Sequence, residues 1–214
     1  MSNAMPALSA RRKDREDRRQ EIVDAAAALG LTEGLGRVTA RRVAQRIGVQ
    51  PGLVTHYFSA IDELLAAAFT QLTTAEQRRI AARVNVEHSA TGRINAALRA
   101  YTDPSRDPMG LMWLDAWRQS ADRARLREAV IRQMERDVDA MESIIAYGVK
   151  AGEFQVADPS VAAIRILSLL DGQVTASAIR TALNGSSLNY PAVEEMLFST
   201  AERELGLPPG ALAP

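Results

Sequence analysis

The chain has 214 residues, of which 47% are hydrophobic, enough to build a folded core and to exclude a largely disordered protein. It has no cysteine, which excludes disulfide frameworks, thiol nucleophiles and cysteine-type zinc sites. The formal net charge is zero, but residues 1–60 carry ten basic and six acidic residues, a net charge of +4, and the remainder carries the compensating −4. A basic N-terminal part is typical of a domain that faces a polyanion.

The N-terminus is polar and then highly charged, unlike a secretory signal peptide. The most apolar stretch, residues 161–183, is interrupted by charged and amide side chains, which argues against a transmembrane helix. We therefore expect a cytoplasmic protein with no membrane partner. Residues 1–13 are interpreted as a cloning remnant followed by a flexible basic arm that contains Arg11, Arg12 and Lys13. This arm either enters a DNA minor groove or forms a solvated tail, and the sequence leaves both interpretations open.

Apolar residues recur at helical spacing and no run alternates as a strand does, so we predict an all-α fold of about nine helices. The first helix is predicted over residues 14–32 and ends at the glycines of residues 34–36. Thr39 has the residue type and position of an N-cap for a short helix over 40–47. A second short helix, over 51–56, begins with a proline, which the first helical turn tolerates.

Ser59 followed by Asp62 predicts the start of a long fourth helix, as an acidic variant of the capping box. Proline- and glycine-containing turns separate the later elements. The remaining helices are predicted over residues 60–83, 90–101, 108–120, 124–151, 159–184 and 191–205.

Two short helices joined by a tight turn at Gly48, after a longer first helix, are typical of a helix-turn-helix, whose second helix enters the major groove of DNA. Gln50 can pair with an adenine edge, and Thr55 can contact a thymine methyl group or a phosphate. Leu53 is expected to face the core, and Val54 is ambiguous. The order and spacing of these residues together favour DNA binding.

Single residues of this region also have purely structural interpretations. Thr39 can be only a helix cap, and the aromatic pair Tyr57 and Phe58 can belong to the core. The arginines near the start of the first short helix lie where exposed backbone N–H groups favour a phosphate.

The run from Val38 to Phe58, VTARRVAQRIGVQPGLVTHYF, continued by DELL at residues 62–65, resembles the N-terminal motif of the TetR family of transcriptional regulators. The resemblance is close over residues 18–68, and the rest agrees in length and helix pattern. WLDAW at 113–117 and LDG at 170–172 are similar to the subgroup typified by the choline-responsive BetI repressors. Pattern and resemblance together predict these DNA-contacting residues: Arg37, Thr39, Arg41, Arg42, Gln50, Pro51, Gly52, Thr55, His56 and Tyr57.

The resemblance implies a homodimeric repressor that leaves a palindromic operator in double-stranded DNA when a small-molecule inducer binds. It implies an N-terminal three-helix helix-turn-helix domain over residues 14–60. A larger helical domain for ligand binding and dimerisation follows over 61–207, and residues 208–214 form a tail. Repression rather than activation is implied only by what is usual for members of the family.

One position departs from the family pattern. Members often have a lysine at the start of the fourth helix that touches a phosphate, where this chain has Ile61. Losing one phosphate contact per subunit is expected to weaken binding and to flatten its log–log salt dependence by about 0.9 per lost contact. The same departure motivates an alternative, a helical ligand-binding adaptor with a degenerate DNA-binding unit.

The ligand-binding part is predicted around the two tryptophans, which stand at i and i+4 on one helix and either fill the core or line a cavity. If Asp171 faces that cavity, a cationic ligand held by the tryptophans through cation–π contact is expected. No cofactor is expected besides the inducer. The predicted ligand-binding residues are Met109, Met112, Trp113, Trp117, Arg118, Tyr147, Asp171 and Gln173.

The last two helices are predicted to form the dimer surface. Residues 161–183 are apolar nearly all round, which indicates a helix covered on both sides. Two such helices from each subunit would form a four-helix interface and set two recognition helices about 34 Å apart, one turn of DNA. Gln173 could face either the cavity or the partner subunit. The predicted interface residues are Val161, Ile164, Leu167, Val193, Met196, Leu197 and Ala201.

An enzyme is the alternative from another class. The only histidines are His56 and His88, and no Ser-His-Asp order, metal-ligand spacing or phosphate loop is present. Asp137, Asp139 and Glu142 lie on a charge-rich helix, where a solvated face is expected rather than an acid–base site. We therefore predict no catalytic and no metal-binding residues.

Overall fold

The computed structural model describes the backbone of residues 5–180 and 191–213, and the side chains of residues 15–172 and 195–213. It contains helices and no strand in these residues, which confirms the all-α prediction. No helix in the described ranges is long and apolar enough to cross a membrane. The helices are α1 (Met5–Glu33), α2 (Ala40–Arg46), α3 (Pro51–Tyr57), α4 (Ile61–Val84), α5 (Ala90–Thr102), α6 (Asp107–Ser120), α7 (Ala124–Lys150), α8 (Pro159–Arg180) and α9 (Pro191–Leu205).

The predicted helix boundaries agree closely with these bounds, with two differences. The backbone is already helical from Met5, so the predicted arm is continuous with α1; the side chains of Arg11, Arg12 and Lys13 lie outside the described residues. Two short 3-10 turns, Leu35–Arg37 and Pro104–Arg106, were not predicted. Both follow a helix end where the chain changes direction within a few residues.

The chain divides into two compact units. Unit 1 comprises the chain up to Leu72 together with Asp115–Val130, and unit 2 comprises Thr73–Leu114 and the chain from Ile131 onward. Helices α4, α6 and α7 therefore have residues in both units. The functional boundary that we predict between residues 60 and 61 lies inside unit 1 and stays a prediction.

The core of unit 1 is built on the apolar stripe of α1. Ile22 and Ala26 are fully buried, as the helical spacing predicts. On α3, Val54 is buried and Leu53 only half-buried, which settles the ambiguous position in favour of Val54 as the inward residue. Phe58, directly after α3, is also buried.

Local capping signals set the ends of α2 and α3. The Thr39 hydroxyl accepts a hydrogen bond of 3.3 Å from the backbone N–H of Arg42, which confirms the predicted N-cap. Gly48 has φ of +70°, in the left-handed region that a side chain rarely adopts. Pro51 is the first residue of α3, where its missing N–H costs no hydrogen bond.

Asp62 does not complete a capping box on its own helix, contrary to the prediction. Its two carboxylate oxygens accept hydrogen bonds from the backbone N–H groups of Arg125 (2.9 Å) and Leu126 (3.0 Å). These groups belong to the first turn of α7, where N–H donors have no helical partner and the helix dipole favours an anion. Asp62 thus joins the start of α4 to the start of α7 inside unit 1.

The core of unit 2 is formed by α5, α7, α8 and α9. Its fully buried members include Ile94, Leu98, Ile145, Ile166 and Leu197. The packing of these four helices leaves a cavity on the side of α5 and α7 that faces the C-terminal half of α4.

Candidate DNA interface and ligand cavity

The predicted recognition helix presents a small, polar surface. Gln50, Pro51, Gly52, Thr55 and His56 are all exposed. A side chain added at Gly52 would meet nothing within 4 Å, so a duplex can approach the backbone closely here. The Thr55 hydroxyl donates to the Gly52 carbonyl oxygen at 3.1 Å, which holds this side chain against its own helix.

Tyr57 is half-buried and packs edge-on against His56, with the ring centroids 5.5 Å apart. The structure therefore places Tyr57 at the border between the core and the surface, while its neighbour Phe58 is in the core.

The three predicted arginines differ in their environment. Arg37 and Arg41 are exposed. Arg42 is half-exposed, and its guanidinium bonds Glu33 at 2.5 Å and the carbonyl oxygen of Arg37 at 3.4 Å. A phosphate at Arg42 would therefore compete with Glu33, whereas Arg41 meets no such competition from the described residues.

Ile61 is the first residue of α4 and is half-buried. It follows the recognition helix by four residues, at the position where the resemblance places a phosphate-contacting lysine. An isoleucine here cannot donate a hydrogen bond to DNA.

None of the predicted ligand-binding residues lines the cavity between α4, α5 and α7, and their role in ligand binding stays a prediction. Met109, Met112 and Trp113 are buried, and Trp117 is half-buried. The burial of these side chains on α6 is consistent with core packing and with the wall of an enclosed cavity, the two alternatives that the spacing leaves open.

The polar members of the predicted set do not line this cavity either. Arg118 is exposed, and the side chain of Gln173 lies outside the described residues. Asp171 is exposed along part of its surface, but burial of its carboxyl raises its pKa, and its charge acts on Arg106 and on Tyr101 in the cavity wall. Tyr147 is 42% exposed and carries the Arg93 guanidinium over its ring at 4.6 Å. Tyr147 therefore adjoins the cavity only through Arg93, which does line it.

The cavity lies between α4, α5 and α7 within unit 2 and has a volume of about 500 Å³. This volume is in the range of sites for drug-sized ligands. Its apolar lining comes from all three helices: Ile80, Ala81 and Val84 from α4, Ala97 from α5, and Ala140, Met141 and Ile144 from α7. Its polar lining comprises Gln77, Asn85, Arg93, Tyr101, Arg136, Asp137, Asp139 and Ser143.

Asp137 lies in the wall of this cavity and is half-buried, which corrects the prediction of a solvated face. Its Oδ1 atom accepts hydrogen bonds from the side-chain amides of Gln77 (2.9 Å) and Gln133 (3.2 Å). Burial raises the pKa of the carboxyl from 3.8 to about 6, against the opposing effect of the two amide donors. Asp139, two residues further on, is exposed, so only one of the two aspartates has a desolvated carboxylate.

A buried ion pair stands beside Asp137. Arg106 binds Glu76 through two hydrogen bonds, Nε to Oε1 at 2.6 Å and Nη2 to Oε2 at 3.2 Å. The Arg106 guanidinium also lies 4.9 Å from the centre of the Tyr101 ring. Burial raises the pKa of the Tyr101 hydroxyl, and the nearby charge of Asp137 raises it further, so the phenol stays neutral. No sequence pattern links these residues, which come from α4, α5, the second 3-10 turn and α7.

The predicted dimer residues divide into an exposed and a buried group. Val161, Ile164 and Met196 are 41%, 49% and 46% exposed, and Leu167 is half-buried. The remaining predicted residues lie on α9.

Leu197 and Ala201 are fully buried in the core of unit 2, so they cannot form a surface for a partner, contrary to the prediction. Of the stripe on α9, Leu197 and Ala201 face the protomer's own core, whereas Met196 faces outward. The side chain of Val193 lies outside the described residues.

Two family models match the chain. One, described as bacterial regulatory proteins of the tetR family, matches residues 22–68. The other, described as the C-terminal part of BetI-type transcriptional repressors, matches residues 90–206. Among curated proteins, the transcriptional regulator BetI of Cronobacter sakazakii is 28% identical over 196 residues, which cover 88% of this chain and 91% of the relative.

Solved structures show the same fold. A TetR-family transcriptional regulator from Rhodococcus sp. superposes with a TM-score of 0.71 at 21% identity, covering 89% of this chain and 99% of that one. A transcriptional regulator from Saccharomonospora viridis in complex with choline superposes with a TM-score of 0.71 at 19% identity, covering 85% of this chain and 94% of that one. These matches confirm the resemblance on which the sequence analysis relied.

Proposed function

Because the chain belongs to the TetR family of bacterial transcriptional regulators, with a C-terminal part of the BetI type, we propose that it is a ligand-responsive repressor. The family identifies a DNA-binding regulator and not an enzyme. In this proposal a homodimer binds a palindromic operator and leaves it when a small molecule occupies the cavity between α4, α5 and α7.

The exposed face of α3 carries the DNA-binding part of the proposal. Val54 and Phe58 anchor the helix from the inside, and Gln50 and Thr55 stand on the outside with an open backbone at Gly52 between them. Side chains of these types read base edges in the major groove, and exposed arginines such as Arg41 supply phosphate contacts.

The cavity supports the ligand-responsive part. α4 begins directly after the helix-turn-helix, and its C-terminal half lines the cavity with Gln77, Ile80 and Val84. One continuous helix therefore connects the candidate DNA interface to the candidate ligand site. A ligand shifts DNA binding only by its difference in affinity for the two states, so the cavity must change shape on release. The choline complex of the S. viridis regulator, and a stearoyl-CoA complex of FadR from Bacillus subtilis, support a small-molecule site in this fold.

DNA binding is tested by fluorescence anisotropy with the intergenic DNA beside the protein's own gene, at two salt concentrations. We expect nanomolar binding that weakens steeply with salt and saturates at one dimer or a pair of dimers per site. Equal affinity for random DNA across a wider operator search would instead support the adaptor alternative. The exposed Arg99 on α5 provides a matched control, because Arg99→Ala removes one positive charge far along the chain from the helix-turn-helix.

Dimerisation through α8 and α9 is supported by the exposed apolar side chains of Val161, Ile164 and Met196. Ile164→Glu is expected to yield a monomer in sedimentation velocity, because a charge would be buried in an apolar contact. Leu111→Glu is the control, since Leu111 is equally exposed (50%) but lies on α6. A dimer that survives Ile164→Glu unchanged would contradict this interface.

A further inference from the structure

Only one of the two carboxylate oxygens of Asp137 accepts hydrogen bonds from the residues that the structure describes. Both amide donors, Gln77 and Gln133, bind Oδ1, and no hydrogen bond reaches Oδ2 from the residues that the structure describes. The carboxylate is part of the cavity wall, so its open acceptor is available to a molecule in the cavity.

Among the described residues, no arginine or lysine forms an ion pair with this carboxylate. Arg106 is the positive charge that Asp137 senses, but its guanidinium is held by both oxygens of Glu76 and by the carbonyl oxygen of Tyr101 at 3.4 Å. Glu76 itself adds a second negative charge, and Asp171 adds a third near Tyr101 and Arg106. The described charges that act on Asp137 and Tyr101 are therefore more negative than positive.

The lining arginines are placed differently. Arg93 is stacked over the Tyr147 ring and donates to the carbonyl oxygen of Glu87 at 3.1 Å, so it is held away from Asp137. Arg136 is exposed, with Asp139 nearby on the same helix. Neither lining arginine therefore pairs with Asp137 in the described part of the chain.

The hydrogen-bonding character of the site favours a donor over a permanently methylated cation. Recognition of quaternary ammonium groups relies on a cage of aromatic rings, and Tyr101 is the aromatic residue in the described lining. The Arg106 guanidinium lies over the Tyr101 ring, and the Tyr101 hydroxyl has no hydrogen bond among the described residues. Asp137 and the Tyr101 hydroxyl line the same cavity, the charge of Asp137 acts on Tyr101, and both offer oxygen acceptors that suit an N–H group.

We propose that Asp137 anchors a protonated amine that carries an apolar body, with the N–H groups on Asp137 and Tyr101 and the body along the apolar lining of α4 and α7. This inference rests on the proposed function, because it names the class of ligand for the same cavity. The volume of about 500 Å³ exceeds what an ammonium head group alone fills, so the apolar body contributes to binding.

Isothermal titration of the full chain without DNA tests the ligand class, with three probes that share one tail: octylamine, octyltrimethylammonium and octanoate. At pH 7.5 octylamine is expected to bind at least tenfold more tightly than the other two. Asp137→Asn is expected to weaken octylamine binding about 10- to 100-fold, the range for losing a charge-assisted hydrogen bond. Glu135→Gln, an exposed position on the same helix outside the cavity lining, is the control and should bind as the wild type does.

A titration at pH 5.5 tests the same anchor without a mutation. Amine binding needs the ionised carboxylate, and burial places the pKa of Asp137 at about 6, so affinity is expected to fall about fourfold from pH 7.5 to pH 5.5. Glu76, Arg106 and Tyr101 face this carboxyl, and the phenol of Tyr101, whose pKa is raised by burial, stays neutral over this range. The amine of the probe also stays protonated.

Several results would overturn the proposal: tighter binding of octanoate or octyltrimethylammonium, unchanged octylamine binding in Asp137→Asn, or no saturable binding of any probe. If Asp171→Asn lost octylamine binding and Asp137→Asn kept it, the anchor would be Asp171 on α8, and the proposal would be overturned as well. The operator titration is independent of these results. Operator binding without amine binding would reject the ligand class and retain the repressor, whereas amine binding without operator binding would reject the repressor alone.

Discussion

Arg106 and Glu76 face each other inside unit 2 and share two hydrogen bonds, of 2.6 and 3.2 Å, with side chains that are 9% and 7% exposed. The pair joins the second 3-10 turn, which carries Arg106, to α4, which carries Glu76. Two desolvated charges are tolerated there because each satisfies the other, and because Arg106 also donates to the Tyr101 carbonyl oxygen.

Breaking this pair on one side is predicted to be costly. Glu76→Gln leaves the Arg106 charge buried without its counterion, and we expect the free energy of unfolding to fall by about 3–5 kcal/mol in urea denaturation. Arg79→Ala is the control, because Arg79 is 59% exposed and its contact with Glu76 is long, at 4.0 Å. A loss below about 1 kcal/mol for Glu76→Gln would mean that the pair is reached by solvent.

The raised pKa of Asp137 predicts a pH-dependent stability. The folded protein binds this proton more tightly than the unfolded chain does, since the pKa rises from 3.8 to about 6 on folding. Stability contributed by Asp137 is therefore present below pH 4 and is lost as the pH rises to 6, by at most about 3 kcal/mol.

Asp137→Asn has no carboxylate to ionise, so it avoids this loss of stability. It should be more stable than the wild type at pH 7.5, with a smaller difference at pH 4. Urea denaturation of both proteins at pH 7.5 and at pH 4 measures the difference in the free energy of unfolding. Glu135→Gln should follow the wild type at each pH, since its carboxylate is exposed. A variant that is less stable than the wild type at pH 7.5 would show that the two amide hydrogen bonds outweigh the desolvation of the charge.

Asp62 is predicted to stabilise the start of α7 from another helix. Asp62→Ala leaves the backbone N–H groups of Arg125 and Leu126 without their acceptor, and the expected loss is about 1 kcal/mol in urea denaturation. Glu63→Ala is the matched control, since Glu63 accepts only a 3.4 Å hydrogen bond from Ser59. Equal losses in the two variants would contradict a specific capping role for Asp62.

Substitution of a base-reading residue and substitution of a phosphate-contacting residue are expected to have different effects on DNA binding. Gln50→Ala should weaken binding to the operator by about 1–3 kcal/mol and leave binding to random DNA unchanged. Arg41→Ala should weaken both and reduce the salt slope by about 0.9 per subunit. Anisotropy titrations over a salt series distinguish the two patterns, and Arg99→Ala should show neither.

Ile61 offers a test by gain of function. Ile61→Lys should strengthen DNA binding and steepen its salt slope by about 0.9 per subunit, because a lysine at the start of α4 can reach a phosphate. Ile61→Gln, which is polar but uncharged, is the control in the same salt series. An unchanged slope in Ile61→Lys would place this position away from the DNA backbone.

The sequence by itself determined the helices and the helix-turn-helix. Thr39 caps α2, Gly48 turns the chain and Pro51 begins α3, and each of these effects acts on backbone groups within a few residues. The inward stripe of α1, with Ile22 and Ala26, likewise follows from the 3.6-residue period of the helix. Such properties are local, and they can therefore be predicted from the order of residues.

Only the tertiary structure decided where the cavity lies and which side of each long helix faces it. Asp137 and Asp139 are chemically identical and two residues apart, but α4 and α5 pack over the first and leave the second in solvent. On α9, Leu197 is buried and its neighbour Met196 is 46% exposed, although both are apolar. The partner of Asp62 lies 63 residues further on. Each outcome depends on how distant helices pack against one another, and helical periodicity carries no information about that packing.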